Sequence, residues 1–187
     1  MKTYVIILSK TFPKGHPKAG ENTYFKEQVQ NALLNNAGVS ACDCCEYKTR
    51  DCDSCGHKAS NFRGKIHTIR DNYELWANRI KEVLNGKAIL SIRQWSGKPY
   101  RSKQEVICDL SAKDEIGIQP LDFDFPFALK VGSEFLNMQD NERLANNDGL
   151  TYDDFDKWID VEHASGIKAI ILFTNFRYTW DKKGRLL

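Results

Sequence analysis

Apolar residues recur along this chain with two spacings, one typical of short strands and one typical of helices. Residues 2–9 hold a Val- and Ile-rich run that is too short for a buried helix, so we predict an opening strand there. In residues 23–36 the apolar positions are spaced at i, i+4, i+7 and i+8, and they are Phe25, Val29, Ala32 and Leu33. That spacing gives one apolar face and predicts an amphipathic helix.

A second helix is predicted for residues 72–85. Its apolar face is formed by Trp76, Ile80, Val83 and Leu84. Asp71 and Glu74 have the spacing of a capping box at its start, and Gly86 is suited to end it.

A third helix is predicted to start at Thr151, which forms a capping pair with Asp154, and to end near Asp160. Short apolar runs between turn residues predict the remaining strands, which are residues 88–95, 105–110, 117–123 and 168–176. The last of these is apolar on both faces, so we expect it to be central in its sheet. Together the elements predict an α+β fold, a small β-barrel with three helices outside it.

Composition limits the class of protein. The chain has 187 residues, 41% of them hydrophobic and 28% charged, which is typical of one soluble domain spanning residues 1–187. Its apolar runs are much shorter than the roughly 20 residues of a membrane helix. The N-terminal run is also too short for a secretory signal. We therefore expect a cytoplasmic protein without a membrane partner.

The formal net charge of +2 hides two blocks of opposite sign. Residues 57–103 hold 11 Lys and Arg against 3 Asp and Glu, whereas residues 104–165 hold 4 against 15. A basic block of this kind can attract phosphate or RNA. The alternative is that both blocks are solvated surface whose charges offset each other.

Residues 41–61 have almost no aliphatic side chains and hold five of the six cysteines. Four of them form two C-x2-C pairs separated by six residues, Cys42 with Cys45 and Cys52 with Cys55. Four thiolates in this pattern are typical of a structural zinc site, and a reducing compartment favours metal over disulfides. Cys44 and His57 are spare ligands, and the alternative is a loop without metal. The sixth cysteine, Cys108, is expected to be a core residue.

Residues 63–71 carry candidate chemistry. If the chain turns at Gly64, Lys65 and Thr68 can approach each other. A threonine hydroxyl is a weak nucleophile until a base removes its proton, and a lysine can be that base when burial lowers its pKa. A carboxylate would then carry the proton to the leaving group. The alternative is a basic surface strand, whose extended backbone would place alternate side chains on opposite faces.

Three segments in the same order resemble the ASCH domain family, a relative of the PUA domain. The first is the motif Gly64-Lys65-x-x-Thr68-x-Arg70, which is similar to the family's signature. The second, residues 145–158, is similar to its acidic turn and late helix, and the third, residues 170–178, to its closing strand. The N-terminal strand and helix would be additions of a phage-like branch, and residues 41–61 an inserted zinc knuckle.

This resemblance implies a small PUA-like β-barrel with flanking helices and a cleft that binds RNA or nucleosides. Some members are amidohydrolases that deacetylate N4-acetylcytidine, and others bind or cleave RNA. Carried over to this chain, the catalytic lysine, threonine and glutamate correspond to Lys65, Thr68 and Asp148, and Arg70 would stabilise the oxyanion. Asp148 departs from the family because aspartate is one methylene shorter. Its alternative role is that of a turn residue, since Asn-Asn-Asp-Gly is ordinary turn sequence.

The resemblance leads us to expect an RNA- or nucleoside-binding protein that hydrolyses N4-acylated cytidine. The alternative is a non-catalytic RNA-binding module, or a ribonuclease, that uses the same cleft.

Residues 91–104 interleave basic and aromatic side chains around a Gly and a Pro, which predict a loop between two strands. Lys and Arg can hold phosphates while Trp and Tyr stack on unpaired bases. The candidate nucleic-acid contacts are Arg93, Trp95, Lys98, Tyr100, Arg101 and Lys103. The alternative is a hairpin whose Trp95 packs into the core and whose charges are solvated. Residues 12–20 form a second loop, a candidate flap over the same cleft.

Overall fold

The computed structural model describes residues 1–36, 64–123, 128–181 and 186. In chain order its elements are β1 (Lys2–Leu8), α1 (Phe25–Asn36), β2 (His67–Arg70), α2 (Tyr73–Leu84), β3 (Ala88–Trp95), β4 (Gln104–Leu110), β5 (Gly117–Asp122), β6 (Lys130–Val131), β7 (Glu134–Phe135), α3 (Met138–Asn147), α4 (Tyr152–Ile159) and β8 (Ile167–Leu172). Four helices and two sheets in these residues give the α+β architecture that the apolar pattern predicts.

The first sheet has three strands in the order β1-β3-β4. Strand β1 runs parallel to β3, and the register extends from Lys2 opposite Ala88 to Leu8 opposite Gln94. Strand β4 returns antiparallel to β3 and forms a hairpin closed by Trp95 opposite Gln104. Because β1 and β3 are parallel, their carboxyl ends lie at the same edge of the sheet, next to the hairpin loop.

The second sheet has five strands in the order β2-β8-β5-β6-β7. Strand β8 pairs antiparallel with both β2 and β5, so the prediction of a central last strand is confirmed. Its residues Ala169, Ile170, Ile171 and Leu172 are fully buried, as a strand covered on both faces requires. The strand ends at Leu172, earlier than the predicted limit at residue 176.

Helix α1 buries the predicted apolar face through Phe25, Val29 and Ala32. Helix α2 buries Trp76, Ile80 and Val83, but Leu84 is 46% exposed, so its assignment to that face was wrong.

The predicted start of α2 was also one residue early. Asn72 is the N-cap, and its side chain accepts a hydrogen bond from the Leu75 N–H at 3.0 Å in place of the predicted Asp71–Glu74 box.

Helix α4 has the predicted boundaries. The Thr151 side chain accepts a hydrogen bond from the Asp154 N–H at 3.1 Å, and the Thr151 hydroxyl donates to Asp154 Oδ2 at 2.7 Å. Asp160 ends the helix in the left-handed region, with φ of 56°. Helix α3 was not predicted. Its apolar contribution to the core is small, and its capping box of Asn137 and Asp140 was not noticed in the sequence.

Buried apolar side chains from both sheets and from all four helices belong to one contiguous cluster in the described residues. None of the helices described is long and apolar enough to cross a lipid bilayer.

Candidate functional site

Lys65 and Asp148, 83 residues apart in the chain, form a buried ion pair. Lys65 Nζ donates to Asp148 Oδ1 at 2.7 Å and to the Asp148 carbonyl oxygen at 2.5 Å. Lys65 is only 1% exposed and Asp148 only 6%. The aspartate side chain therefore reaches the lysine directly.

Main-chain hydrogen bonds hold the segment that carries Lys65. The Lys65 N–H donates to the Gln28 carbonyl of α1 at 3.3 Å, and the Ile66 N–H donates to the Asn147 carbonyl of α3 at 2.9 Å. The Ile66 carbonyl accepts from the Phe173 N–H just after β8 at 2.8 Å. Three separate elements thus fix Lys65 before β2 begins.

Asp148 is the C-cap of α3, so its role as a turn residue and its role in the ion pair occur together. A carboxylate at a helix C-terminus is unfavourable, because that end already carries partial negative charge. The Lys65 ammonium offsets this cost by contacting both the carboxylate and a terminal carbonyl.

Gly149 lets the α3–α4 turn approach α1 and Lys65. Its φ is +81°, a left-handed conformation in which glycine has no steric penalty. A Cβ at this position would lie 2.3 Å from Gln28 Oε1 and 3.2 Å from Lys65 Cβ. Only glycine fits this turn without displacing its neighbours.

Burial shifts the pKa values of Lys65 and Asp148 in opposite directions. Loss of hydration lowers the pKa of Lys65, and the attraction of Asp148 opposes that change. Loss of hydration raises the pKa of Asp148, and the attraction of Lys65 opposes that change. The two proton affinities are therefore closer than those of free lysine and aspartic acid, so burial lowers the cost of proton transfer within the pair.

Arg70, the second basic residue of the motif, links β2 to β1. Its guanidinium donates to the Ile69 carbonyl at 2.9 Å and to the Ile7 carbonyl of β1, also at 2.9 Å. Burial lowers the pKa of Arg70, and Asp148 opposes this. Because arginine has five N–H donors, these two bonds leave donors for an oxyanion.

All four predicted catalytic residues line one cavity of about 380 Å³: Lys65, Thr68, Arg70 and Asp148. Its apolar walls include Phe25 and Trp158, whose ring centroids are 5.7 Å apart. The Phe25 centroid is also 4.2 Å from Lys65 Nζ, a cation–π distance. Apolar walls together with polar groups that converge in a concave cavity are usual features of a small-molecule site. We call it the reactive pocket.

A buried polar chain behind Asp148 was missed by sequence reasoning. Asn147 Nδ2 donates to the Tyr178 hydroxyl at 2.9 Å, and that hydroxyl lies 3.0 Å from His67 Nε2. The Tyr178 hydroxyl can donate to His67 Nε2 or accept from it, according to which imidazole nitrogen carries the proton. No spacing in the sequence connects residues 67, 147 and 178.

His67 is fully buried, and its Nδ1 has no hydrogen bond of standard geometry among the described residues, although the Leu144 backbone acts to raise the pKa of the imidazole. The nearest carboxylate oxygen, Asp148 Oδ1, is 3.6 Å from it. Burial, followed by the positive charge of Lys65, lowers the pKa of His67 well below its ordinary value. His67 is therefore a neutral side chain next to the Lys65–Asp148 pair at neutral pH.

The basic aromatic stretch forms the loop of the β3–β4 hairpin. The Ser96 N–H donates to the Lys103 carbonyl at 2.9 Å, and the Gly97 N–H donates to Ser102 Oγ at 2.9 Å. Ser102 Oγ donates in turn to the Lys98 carbonyl at 2.9 Å. The loop therefore has a defined shape built from its own polar groups.

Trp95 and Tyr100 lie together on this loop, with ring centroids 5.4 Å apart. Trp95 is half-buried and Tyr100 is 89% exposed. Together with Lys98 they line a second cavity of about 600 Å³, which we call the hairpin pocket. Trp95 is not part of the core cluster of the described residues, so the alternative that it packs into the core is wrong.

The remaining candidate contacts of the hairpin differ among themselves. Lys98, Arg101 and Lys103 are exposed, and none forms an ion pair with a residue in the described part of the chain. Arg93 is half-buried and donates to Ser91 Oγ at 2.9 Å and to Gln104 Oε1 at 3.3 Å. Arg93 is thus engaged by the sheet, whereas the other three are free to meet a ligand.

The N-terminal loop, residues 12–20, packs on α4. His16 is 5% exposed and stacks on Phe12, with ring centroids 4.5 Å apart. Lys18 Nζ contacts Asp154 Oδ2 at 2.7 Å, and the Phe12 ring meets Trp158 at 5.5 Å. The loop therefore supports the Trp158 wall of the reactive pocket.

The predicted zinc ligands Cys42, Cys45, Cys52 and Cys55, and the spare ligands Cys44 and His57, lie outside the described residues. Within the described ranges, no group of three or more His, Cys, Asp and Glu side chains is arranged to hold a metal ion. Cys108 is half-buried against the core. Burial, with Asp109 and Asp114 nearby, raises its pKa to about 12, so it remains a thiol at neutral pH.

Comparison with known proteins adds no relative. A scan against protein-family models, a search of curated proteins and a search of solved structures each found no match.

Proposed function

We propose that this chain is an ASCH-like protein of the PUA-related class that binds RNA or a modified nucleoside and hydrolyses the amide of an N4-acylated cytidine. The observation that carries the proposal is the buried Lys65–Asp148 pair in a cavity also lined by Thr68 and Arg70. The described strands form two separate sheets rather than the predicted closed barrel, so the proposal rests on the α+β class and on the pocket.

The proposed chemistry starts with a neutral Lys65. Transfer of its proton to Asp148 converts the ion pair into a neutral amine and a carboxylic acid, which burial favours. Lys65 then takes the Thr68 hydroxyl proton while the Thr68 oxygen attacks the acyl carbon, and Arg70 stabilises the oxyanion.

The tetrahedral intermediate collapses when the bond from the acyl carbon to N4 breaks and Asp148 donates its proton to N4. Cytidine leaves, and the acyl group remains on Thr68 as an ester. Attack by water on this ester, with the pair again acting as base and acid, releases the carboxylic acid and restores the threonine. The overall reaction consumes one water and yields cytidine and acetate when the acyl group is acetyl.

The test is incubation with N4-acetylcytidine and chromatography of the products. The parent protein should form cytidine, and Thr68→Ala should lower kcat/KM by at least about 100-fold because the nucleophile is lost. Lys113→Ala, an exposed lysine remote from the cavity, is the matched control and should retain full activity. Absence of turnover by the folded parent, or turnover that survives Thr68→Ala, would contradict the proposal.

The pH dependence of kcat/KM gives an independent readout in the same assay. The active pair holds one proton. At low pH a second proton binds, and because the pKa of Asp148 is raised, activity falls at a higher pH than for ordinary aspartate. At high pH the pair loses its proton, and because the pKa of Lys65 is lowered, activity falls at a lower pH than for free lysine. We expect a bell-shaped profile.

The second candidate is a non-catalytic RNA-binding module, or a ribonuclease, that uses the same cleft. It is favoured by three cations of the hairpin loop that are exposed and form no ion pair within the described residues, Lys98, Arg101 and Lys103. RNA binding without release of cytidine from N4-acetylcytidine supports this candidate, and shortening of a labelled RNA on a gel would specify the ribonuclease.

Two further proposals follow from the sequence. A structural zinc held by Cys42, Cys45, Cys52 and Cys55 would organise the segment before β2. A cytoplasmic location fits the proposed zinc thiolates, since thiols stay reduced in that compartment.

A further inference from the structure

The hairpin pocket adjoins the reactive pocket at the carboxyl end of β1. Ile7, Leu8 and Ser9 line both cavities, so one short stretch of backbone forms their common wall. The far side of the hairpin pocket is formed by Trp95, Lys98 and Tyr100, and Lys10 and Thr11 complete it. The two cavities are therefore neighbours on either side of this stretch of backbone.

The hairpin pocket is preformed. Lys10 Nζ donates to the Ser96 carbonyl at 3.1 Å, which ties the end of β1 to the hairpin. The Ser102 hydroxyl closes the loop with two hydrogen bonds of 2.9 Å. It accepts from the Gly97 N–H and donates to the Lys98 carbonyl. A site of fixed shape binds without the entropy cost of ordering its loop.

Tyr100 is held in an unfavourable conformation for a residue that buries almost nothing. Its φ is 61°, in the left-handed region that disfavours side chains, and 89% of the residue is exposed. The Tyr100 ring does not pack into the protein core, so core packing does not offset this strain. Strain of this kind is concentrated at ligand sites.

We propose that the hairpin pocket binds the nucleotide next to the cytidine in the reactive pocket, so that a single-stranded oligonucleotide is a better substrate than a free nucleoside. The inference rests on the proposed function of the reactive pocket. Trp95 and Tyr100 stack on the neighbouring base, and the ammonium of Lys98 contacts the backbone phosphate. Glu105, a carboxylate at the start of β4, is paired with Lys26 at 3.4 Å.

The test uses unreacted ligands, so binding is measured without turnover. Dissociation constants for cytidine monophosphate and for a fluorescently labelled cytidine trinucleotide are measured by competition and anisotropy. The parent should bind the trinucleotide more tightly. Tyr100→Ala should weaken trinucleotide binding by roughly 5- to 150-fold, the loss expected from one stacked base. Phe135→Ala, which removes an aromatic ring 55% exposed on β7, is the control and should change it little.

The proposed contact between the Lys98 ammonium and a phosphate is tested separately. Lys98→Ala should reduce the slope of log affinity against log salt concentration by about 0.7, the value of one phosphate contact on a single strand. Lys113→Ala, an exposed lysine beyond the other end of β4, should leave the slope unchanged. Equal binding of the trinucleotide and the monophosphate by the parent would overturn the proposal, as would equal losses in Tyr100→Ala and Phe135→Ala.

The outcomes separate this inference from the function on which it rests. Tyr100-dependent trinucleotide binding by a protein that does not turn over N4-acetylcytidine supports the hairpin pocket and overturns the hydrolase. Turnover of N4-acetylcytidine by a protein that binds the trinucleotide no more tightly than the monophosphate supports the hydrolase and overturns the hairpin pocket. A deoxycytidine trinucleotide that binds as tightly as the RNA one would overturn the assignment of the strand to RNA.

Discussion

Lys65 and Asp148 lose most of their hydration on folding, so each side chain depends on the other for compensation. Two of the three ammonium hydrogens are used by the carboxylate and carbonyl of Asp148. The aromatic face of Phe25 lies against the same nitrogen. Removal of one partner leaves the other buried and uncompensated.

We predict that Lys65→Met destabilises the fold by about 3–5 kcal/mol, the usual cost of leaving one charge of a buried pair alone. The loss should grow with pH. Without Lys65, the pKa of Asp148 in the folded protein rises further above its unfolded value. Below the pKa that Asp148 has in the unfolded chain, this carboxyl therefore costs the variant no stability. The free energy of unfolding then falls as the pH rises through the higher pKa of Asp148 in the folded protein. Urea unfolding at about pH 5 and about pH 8 measures this trend.

Two controls accompany that experiment. Lys2→Met removes an exposed lysine from its pair with Glu82 and should change stability little, because water screens this pair. The double variant Lys65→Met with Asp148→Asn removes both charges and should be less destabilised than the sum of the single variants. Simple additivity in this cycle would show that the pair is not coupled.

At the scale of elements, the α3–α4 turn determines where Asp148 lies. The turn approaches α1 so closely that Gly149 meets Gln28 with no space for a side chain. The sequence signal for this contact was only an Asn-Asn-Asp-Gly turn, which does not indicate what the turn packs against.

We predict that Gly149→Ala destabilises the protein by more than about 2 kcal/mol, since the positive φ and the collision with Gln28 both add cost. Gly166→Ala is the matched control, because Gly166 has φ of +72° and open space around it. It should lose only about 1–2 kcal/mol. Adding Gln28→Ala to Gly149→Ala should restore part of the loss. Equal losses for the two glycines in thermal or urea unfolding would contradict the collision.

Elements with strong local signals were predicted well. Strand β3 was predicted to the residue, and the start of α4 was read from Thr151 and Asp154. Helix α3 was missed because its buried apolar residues are only Leu144 and Ala145, too few to show a helical period. Strands β6 and β7 have two residues each and owe their existence to pairing rather than to their own sequence.

At the scale of the whole molecule, the two charge blocks meet at the site. Lys65 from the basic block pairs with Asp148 from the acidic block. The charge distribution along the sequence did not show whether the two blocks meet. The cations of the hairpin loop remain exposed and unpaired among the described residues. Opposite charges therefore converge in the reactive pocket, and unopposed positive charge lies beside it.

The predicted zinc knuckle is tested at this scale. Protein purified under reducing conditions should contain about one zinc per chain by elemental analysis, as expected for four thiolate ligands. Cys52→Ser should lower the zinc content. Cys108→Ser removes a half-buried thiol that is not one of the predicted ligands and should leave the content unchanged. Metal-free parent protein would count against the site.

The sequence by itself determined the α+β class and the central position of β8, because apolar period and capping residues are local properties. The residues worth testing came from the resemblance of three short segments to a known family. It named Lys65, Thr68, Arg70 and Asp148 but did not show that they share a cavity. Only the tertiary structure decided that, since contact across 83 residues depends on how α1, α3 and β8 pack. The polar chain from Asn147 through Tyr178 to His67 has the same origin, because its members are neighbours only in three dimensions.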